Sequence, residues 1–562
     1  MRTAATAPTV SAPVDQLLAR LDAEQRAAAL LPDSPGLVIA PAGSGKTTTL
    51  IARLGVLLAR GVRPERIGVV TFNREAAGEL RARITARLGS VEGHERIEVR
   101  TLHAMARQIL LDAGCLGDLI ADRGPLLRRA RREAGGESAP DIQQLDTELS
   151  SWKVERREPG DEARPVLEAY QAALAARGAL DFDDLVIGAV DVLEGEAGLR
   201  HRWQSRFSHL CVDEFQDVDA AQSRLVELLA EPERNVWVVG DDDQTIYAWR
   251  LADVRRILDF GRDEPGLHWV MLATNYRCPP EVVTASDRLI SVNRERFIKP
   301  IRPAPGRVSE PGAIGAIATD DAGWSDRFAA FAGAEARSGR TCCFLGRTRA
   351  DIEPVLYALV RAEVRHVTTF TQLMDVAPVR RLLELIAIRS GPPFPELLAL
   401  RRDLGWSRLE PMAGRAADDG ISRAHAQELS DDDHTAIDAL LGWAVRYREV
   451  EPFVTAAGEA RGRLAALQQP DALVEVATVH TAKGREWQTV VLVGFEEDRF
   501  PNRRALLGHR DPDRALEEER RLAYVALTRA TERLILAFDP RRPSRFLAEM
   551  GYRPTSGATS VR

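Results

Sequence analysis

Cysteine is sparse in this chain: Cys115, Cys211, Cys278, Cys342 and Cys343 are the five in 562 residues, and none stands in a CxxC pair. That spacing argues against a zinc site and a disulfide framework, and points to a reducing compartment. Long apolar runs are missing too. No segment approaches the roughly 18 apolar residues of a membrane span, and Met1 to Val14 lacks the apolar centre of a signal peptide. The expectation is a cytoplasmic protein with no membrane partner. Nor is there a global basic field: the net charge is −7, so any nucleic-acid surface must be local. What remains is an ordinary globular composition, 45% hydrophobic and 28% charged, long enough for about three to five domains. Residues 1–20 are expected to be a disordered tail and 551–562 a second tail.

The most informative stretch is Leu37-Val-Ile-Ala-Pro-Ala-Gly-Ser-Gly-Lys-Thr-Thr-Thr-Leu50, an apolar run that breaks into glycines and then Lys46 and Thr47. In such a turn glycines let backbone N–H groups face phosphate oxygens, the lysine reaches the β- and γ-phosphates, and the hydroxyl ligates Mg²⁺. The cradle is assigned to Ala42, Gly43, Ser44, Gly45, Lys46, Thr47 and Thr48, although Ala40 stands where the general pattern has its first glycine. Just upstream, Leu21 to Ala29 reads as a helix capped by Asp22, and its Gln25 faces either the nucleotide base or solvent.

Strand-to-helix switches then repeat. Ile67 to Phe72 is a β-branched run that flows into the helical pattern Asn73 to Ile84, and Val99 to Met105 switches again with His103 at the turn. A lone histidine there is more often a local hydrogen bonder than a functional group. Residues 105–203 read as a charged helical insertion, in which the acidic turn Leu180 to Leu185 presents Phe182 either on a surface or in a core behind a helix cap. Leu210 to Asp217 is the second chemical signal, a strand ending in consecutive acids: Asp213 to hold Mg²⁺, Glu214 to polarise a water, Gln216 to sense the nucleotide. The strand Val236 to Gly240 places Gln244 at its carboxyl edge, where parallel sheets bind ligands. Tyr247, Trp249 and Arg250 follow. They form either a stacking platform for bases or a helix with two core aromatics, and the residues alone favour the second.

With these blocks in order, the chain resembles the superfamily 1A DNA helicases of the UvrD/Rep/PcrA type. Leu272 to Arg277 is similar to the family's motif IV, Thr478 to Trp487 to motif V, and Glu517 to Ala530 to motif VI. The similarity is good over 21–299 and 474–538, loose over 341–386 and faint over 390–470. It implies an α/β fold of two RecA-like P-loop lobes with parallel sheets, each carrying a mainly helical insertion. Residues 21–104 and 204–280 would form the first, ATP-binding lobe, with 105–203 inserted. Residues 281–386 and 473–550 would form the second, with a shortened insertion at 387–472.

The resemblance also implies ATP and Mg²⁺ as cofactors, Thr47 and Asp213 as metal ligands, and a catalytic set of Lys46, Asp213, Glu214, Gln244, Arg277 and Arg529. The two arginines match those that reach the γ-phosphate and are expected from the far lobe, a role worth about 10³–10⁵ in turnover for arginine fingers generally. Lysine would replace them poorly, because the guanidinium fork matches phosphate geometry. Tyr276 and Gln25 match the adenine contacts and Glu486 the ribose contact; Thr48 departs from relatives that often carry an arginine there. Phe72, His103, Phe182, Tyr247, Trp249, Arg250 and His480 fall on positions resembling those along single-stranded DNA, where stacking tolerates every sequence. The implied function is ATP-driven 3′-to-5′ translocation on single-stranded DNA with unwinding at single–double-strand junctions, in repair, recombination or replication restart, with repair or replication proteins as partners. The shortened insertion, without the family's glycine-containing duplex-binding hairpin, raises an alternative: a translocase that strips proteins from DNA but unwinds weakly. Another is a DNA-gated ATPase switch subunit of a larger complex. No nuclease-like acidic-lysine cluster follows motif VI, which argues against the helicase-nuclease relatives.

Overall fold

A computed structural model describes residues 12–136, 138–262, 266–308, 312–321, 323–368, 373–406, 429, 431–508 and 511–552. The chain divides into two units, one drawn from 1–308 and 513–528, the other from 309–512 and 529–562.

In the first unit, six strands form an all-parallel sheet: β1 (Gly36–Ile39), β2 (Ile67–Thr71), β3 (Glu98–Thr101), β4 (His209–Val212), β5 (Val236–Gly240) and β6 (His268–Met271). Their spatial order is β3-β2-β4-β5-β1-β6. Strands β1, β2, β4 and β5 are buried at every residue, as a sheet covered by helices on both faces requires. Side chains alternate between the two covers. Val38, Val69 and Val239 pack with Leu50, Leu54, Leu80 and Ile84 of the helices Lys46–Ala59 and Arg74–Leu88. Ile39, Val70 and Val238 pack with Met105, Ile109, Leu185 and Leu225 on the opposite face.

Three boundaries differ from expectation. Residues 12–19 are a helix whose Val14, Leu17 and Leu18 join the first of these cores, so apolar burial orders a segment expected to be a disordered tail. Residues 1–11 of that tail, and 553–562 of the other, lie outside the described residues. The helices Leu102–Asp112 and Phe182–Gly195 serve as sheet cover. Within 105–203, among the described residues, the helices Gly124–Ala134, Ile142–Glu155 and Arg164–Ala175 are the ones with a core of their own, built on Leu127, Leu145, Leu149, Leu167 and Tyr170. The first unit also continues past 280, through the helix Pro280–Ile290 to residue 308, and takes in most of the helix Pro512–Leu527.

The second unit holds another all-parallel sheet: β7 (Ile314–Ala318), β8 (Cys342–Gly346), β9 (Val367–Thr368), β10 (Val474–Thr478), β11 (Trp487–Val493) and β12 (Ala530–Phe538), in the order β7-β12-β11-β8-β10-β9. Its core joins Phe328, Phe344, Val355, Leu359, Val476 and Val491. Between β9 and β10 the helices Ala377–Ile386, Pro393–Asp403, Asp431–Ala444 and Val450–Leu467 build a separate core on Val379, Leu382, Leu397, Ile437 and Phe453. Within the expected insertion at 387–472, residues 407–428 and 430 lie outside the described residues. The fold is therefore α/β, with two parallel-sheet lobes that each carry a helical addition. No helix among the described residues is long and apolar enough to cross a membrane.

Candidate active site

The glycine turn expected to cradle phosphate leaves the carboxyl end of β1 and opens the helix Lys46–Ala59, whose first N–H groups have no intrahelical partner and sit at the positive end of its dipole. Two glycines make the turn possible. Gly43 has φ +71°, and a Cβ there would lie 2.7 Å from Asn275 Oδ1; Gly45 has φ +81°, and its Cβ would lie 2.5 Å from Gln25 Nε2. The loop is clamped from outside by the groups that leave no room for side chains. Asn275 Nδ2 donates to Ala42 O at 2.8 Å, Tyr276 N to Gly43 O at 2.8 Å, and Gln25 Nε2 to Ser44 O at 2.9 Å. Gln25 is thus buried rather than solvent-facing. Ser44 Oγ is buried without a hydrogen-bond partner among the described residues, so the loop carries polar capacity that the protein does not use. Thr47 and Thr48 sit half-buried in the first helical turn.

The acids approach from β4. Glu214 adopts φ +55°, an uncommon conformation for a residue with a side chain, and its N–H donates to Asp213 Oδ1 at 3.0 Å. Lys46 Nζ lies 2.5 Å from Glu214 Oε2. Gln216 then joins two strand ends: its Nε2 donates to Glu214 Oε2 at 2.6 Å, and its Oε1 accepts from Asp241 N at 3.0 Å. Asp241 Oδ2 accepts from Gln244 Nε2 at 2.8 Å. An unbroken polar chain therefore runs from Lys46 through Glu214, Gln216 and Asp241 to Gln244. Burial works against the charge of Lys46, but Glu214 and Asp213 outweigh it and hold its pKa above the ordinary lysine value. Burial, followed by the neighbouring Glu214, pushes Asp213 up to about 6 despite Lys46. The Thr47 hydroxyl and the Asp213 carboxylate are hard oxygen donors of the kind Mg²⁺ takes, and a cation there would offset the repulsion between Asp213 and Glu214.

Among the residues expected to meet the base, Tyr276 donates its hydroxyl to Asp22 at 2.6 Å, and Asp22 caps its helix through Gln25 N at 2.7 Å. Arg277 is a correction. It belongs to the first unit, beside Gly43, because β6 pairs directly with β1 and carries residues 274–277 over the phosphate loop. Its Nη1 donates to Thr528 O at 3.4 Å. Asn275, which donates to the loop and accepts from Arg277 N and Cys278 N, was not singled out from sequence, since nothing local marks an asparagine as a clamp.

An aromatic band follows the same carboxyl edge of the sheet. Phe72, just past β2, stacks on Tyr247 with ring centroids 5.0 Å apart and planes at 15°. Tyr247 meets the edge of Trp249 at 6.3 Å, and the Arg250 guanidinium lies 4.5 Å over the Trp249 ring. Trp249 is 58% exposed, and Ala248–Arg250 is a single 3₁₀ turn ended by Leu251 at φ +62°, so the core-helix reading of Tyr247 and Trp249 fails. His103 meets Phe182 edge-on at 5.9 Å, and Phe72, His103, Asp213 and Glu214 line one pocket. Burial lowers the His103 pKa and favours the neutral ring. Phe182, 40% exposed, opens its helix on a surface. Lys153 underpins that turn through Asp181 and Asp184, each at 2.8 Å.

Arg529, Glu486 and His480 stand on the second unit. Arg529 Nη1 donates to Arg485 O at 3.2 Å, and Arg485 pairs with the buried Glu475 and stacks on Trp487. Glu486 is exposed beside them. Burial, with Arg347 and Lys483 nearby, pushes the His480 pKa down to about 3.

Residues 21–123 and 130–265 match the model of the UvrD/REP helicase N-terminal domain, and 454–539 match that of the UvrD-like helicase C-terminal domain. The chain is 32% identical to the ATP-dependent DNA helicase UvrD2 of Mycobacterium tuberculosis, over 95% of this chain and 82% of that protein. It is 29% identical to DNA helicase II of Escherichia coli, over 96% and 88% respectively. It is 28% identical to the ATP-dependent DNA helicase PcrA of Bacillus subtilis, over 95% and 86%.

Proposed function

This chain belongs to the UvrD/REP family of ATP-dependent DNA helicases, and we propose that it steps 3′ to 5′ along single-stranded DNA and opens duplex at junctions. The observation that carries the reading is the shared sheet edge: the polar chain from Lys46 to Gln244 follows β1, β4 and β5, and the aromatic band from Phe72 to Trp249 follows β2 and β5, all at the carboxyl edge of one sheet. Only two residues separate Gln244 from Tyr247. A change at the phosphate end therefore has a short covalent path to the stacking platform.

In this reading Thr47 and Asp213 would hold Mg²⁺, which would supply positive charge against the ATP phosphates. Lys46 leaves Glu214 for the phosphates, and Glu214, oriented by Gln216, is freed to accept a proton from water. Gln244 senses the γ-phosphate, Arg277 and Arg529 meet its charge, and Tyr276, Gln25 and Glu486 take the nucleoside. Phe72, His103, Phe182, Tyr247, Trp249, Arg250 and His480 take single-stranded DNA by stacking and phosphate contact. The deciding experiment is strand displacement on duplexes with a 3′ or a 5′ tail, with Lys46→Ala as control. Unwinding from the 3′ tail alone, abolished by Lys46→Ala while DNA binding persists, is the expected result. Unwinding from the 5′ tail would overturn the polarity, and DNA-stimulated hydrolysis by Lys46→Ala would overturn the cradle. Translocation with weak unwinding would favour a protein-stripping motor instead.

A further inference from the structure

Beneath Gln244 lies a charge cluster of which only Asp241 joins the polar chain to Lys46. Asp241, Asp242 and Asp243 are each 0% exposed, and three consecutive buried carboxylates are untenable without cations. Residues 293–299 supply them. Lys299 Nζ lies 2.8, 2.6 and 2.6 Å from Asp241 Oδ1, Asp242 Oδ1 and Asp243 Oδ2. Arg296 grips Asp243 with a two-point fork at 2.9 and 2.8 Å, and Phe297 N–H donates to Asp242 Oδ2 at 2.9 Å. The same Asp241 offers its second oxygen to Gln244. The other side of the segment holds the helix Pro512–Leu527. Arg294 N donates to Glu517 Oε1 at 2.8 Å, Asn293 Nδ2 to Glu517 O at 2.9 Å, and Arg521 Nη2 to Glu295 O at 2.8 Å.

Lysine is also conspicuous here by its rarity. Among 76 Lys and Arg residues only Lys46, Lys153, Lys299 and Lys483 are lysines. A compact ammonium meets three carboxylates at once, whereas a planar guanidinium fork is shaped to grip one carboxylate at two points.

We propose that Lys299 is a positioning residue for Gln244, and that residues 293–299 form a strap fixing both the phosphate-sensing loop and the helix that precedes Arg529 to one anchor. The inference rests on reading Gln244 as the γ-phosphate sensor. Without the ammonium, three buried carboxylates face one guanidinium, repulsion opens the loop, and Gln244 loses the acceptor that orients it.

The test compares Gln244→Ala, Lys299→Met and Lys299→Met/Asp242→Asn in the full chain, measuring DNA-stimulated ATP hydrolysis per competent site and the KM for ATP. Lys299→Met is expected to lower kcat by about 10- to 100-fold, the usual range when a supporting contact behind a functional group is lost. Its KM should stay within about threefold of the parent, as loss of transition-state rather than ground-state contacts requires. The double variant keeps the net charge of −1 carried by the three acids, Lys299 and Arg296, and its new amide still accepts from Phe297 N–H. It is expected to recover kcat to within about threefold, because the two changes share one cluster and compensate. A folded Lys299→Met with parental kcat overturns the proposal. So does a double variant that fails to fold or folds with kcat still low, and this arm decides alone if Lys299→Met does not fold. Parental kcat in Gln244→Ala would sink the sensor reading itself, whereas an impaired Gln244→Ala beside an intact Lys299→Met would overturn only the strap.

Discussion

Replacing Trp249 by alanine separates a DNA-contacting ring from a structural one. The ring is 58% exposed, so its removal leaves no enclosed cavity, and the about 3–5 kcal/mol typical of a core Trp→Ala does not apply. Two contacts are lost. The edge-on pair with Tyr247 at 6.3 Å contributes about 0.5–1.5 kcal/mol, and the Arg250 guanidinium at 4.5 Å about 0.5–1 kcal/mol at an exposed site. Together they correspond to a fall in Tm of no more than a few degrees. If the free face stacks on a base, the loss in DNA affinity is about 1–3 kcal/mol, or about 5- to 150-fold in Kd. The assay is fluorescence anisotropy of a labelled oligonucleotide at one fixed salt concentration, since phosphate contacts make affinity salt-dependent, paired with a melting curve on the same sample. A weakened Kd with a nearly parental Tm is expected. A Tm lowered by many degrees with Kd unchanged in the folded protein would refute the reasoning.

Glu214→Gln should keep ATP affinity while turnover drops by about 10²–10⁴-fold, the contribution of a positioned base; lost ATP binding in equilibrium titration would exchange the roles of Asp213 and Glu214. Arg529→Lys should depress turnover towards the about 10³–10⁵-fold range of arginine fingers, with far less effect on ATP binding in the DNA-bound state; equal losses in both would mark a structural arginine. Asp219 caps the helix Ala220–Ala230 through Gln222 N at 2.8 Å, and burial, with Asp183 nearby, pushes its carboxyl up to about 6. Because that folded-state pKa is raised, the stability it contributes is complete below the unfolded value of about 4 and is lost as pH rises through about 6. Asp219→Asn, which retains the cap, should therefore raise Tm at pH 8 and leave it nearly unchanged near pH 4; a lower Tm at pH 8 would contradict the sign.

The fold class was legible because β-branched runs alternate with helical patterns, and the strand-to-helix turn at Gly43 to Lys46 because an apolar run breaks into glycines there. What could not be read was mostly non-local. The place of Arg277 depends on β6 pairing with β1, a contact between segments more than two hundred residues apart. Lys299 meets Asp241 across 58 residues, and nothing near either one announces the partner, although the scarcity of lysine was a usable signal. Tyr247 and Trp249 looked like core aromatics because apolar rings usually are. The backbone decides otherwise: Asp242–Gln244 and Ala248–Arg250 close as short 3₁₀ turns, so no helix exists to bury them. The helix Ala12–Ala19 was missed for the opposite reason, since its alanine- and proline-rich surroundings hide the three apolar residues that dock it.

The burial of two of the four lysines has a practical consequence for chemical labelling. Lys153 and Lys299 are enclosed among carboxylates, which withholds their amines from acylating reagents. Lys46, with 14% of its side chain exposed, and the half-buried Lys483 are then the lysines left within reach, Lys46 only at raised pH because Glu214 and Asp213 hold its ammonium protonated. In most proteins of this size such reagents scatter over dozens of sites and report little. Here, inactivation by an activated ester would trace to one of two loops, and protection by nucleotide would single out Lys46. The chain is thus suited to footprinting at the nucleotide site without any engineered residue.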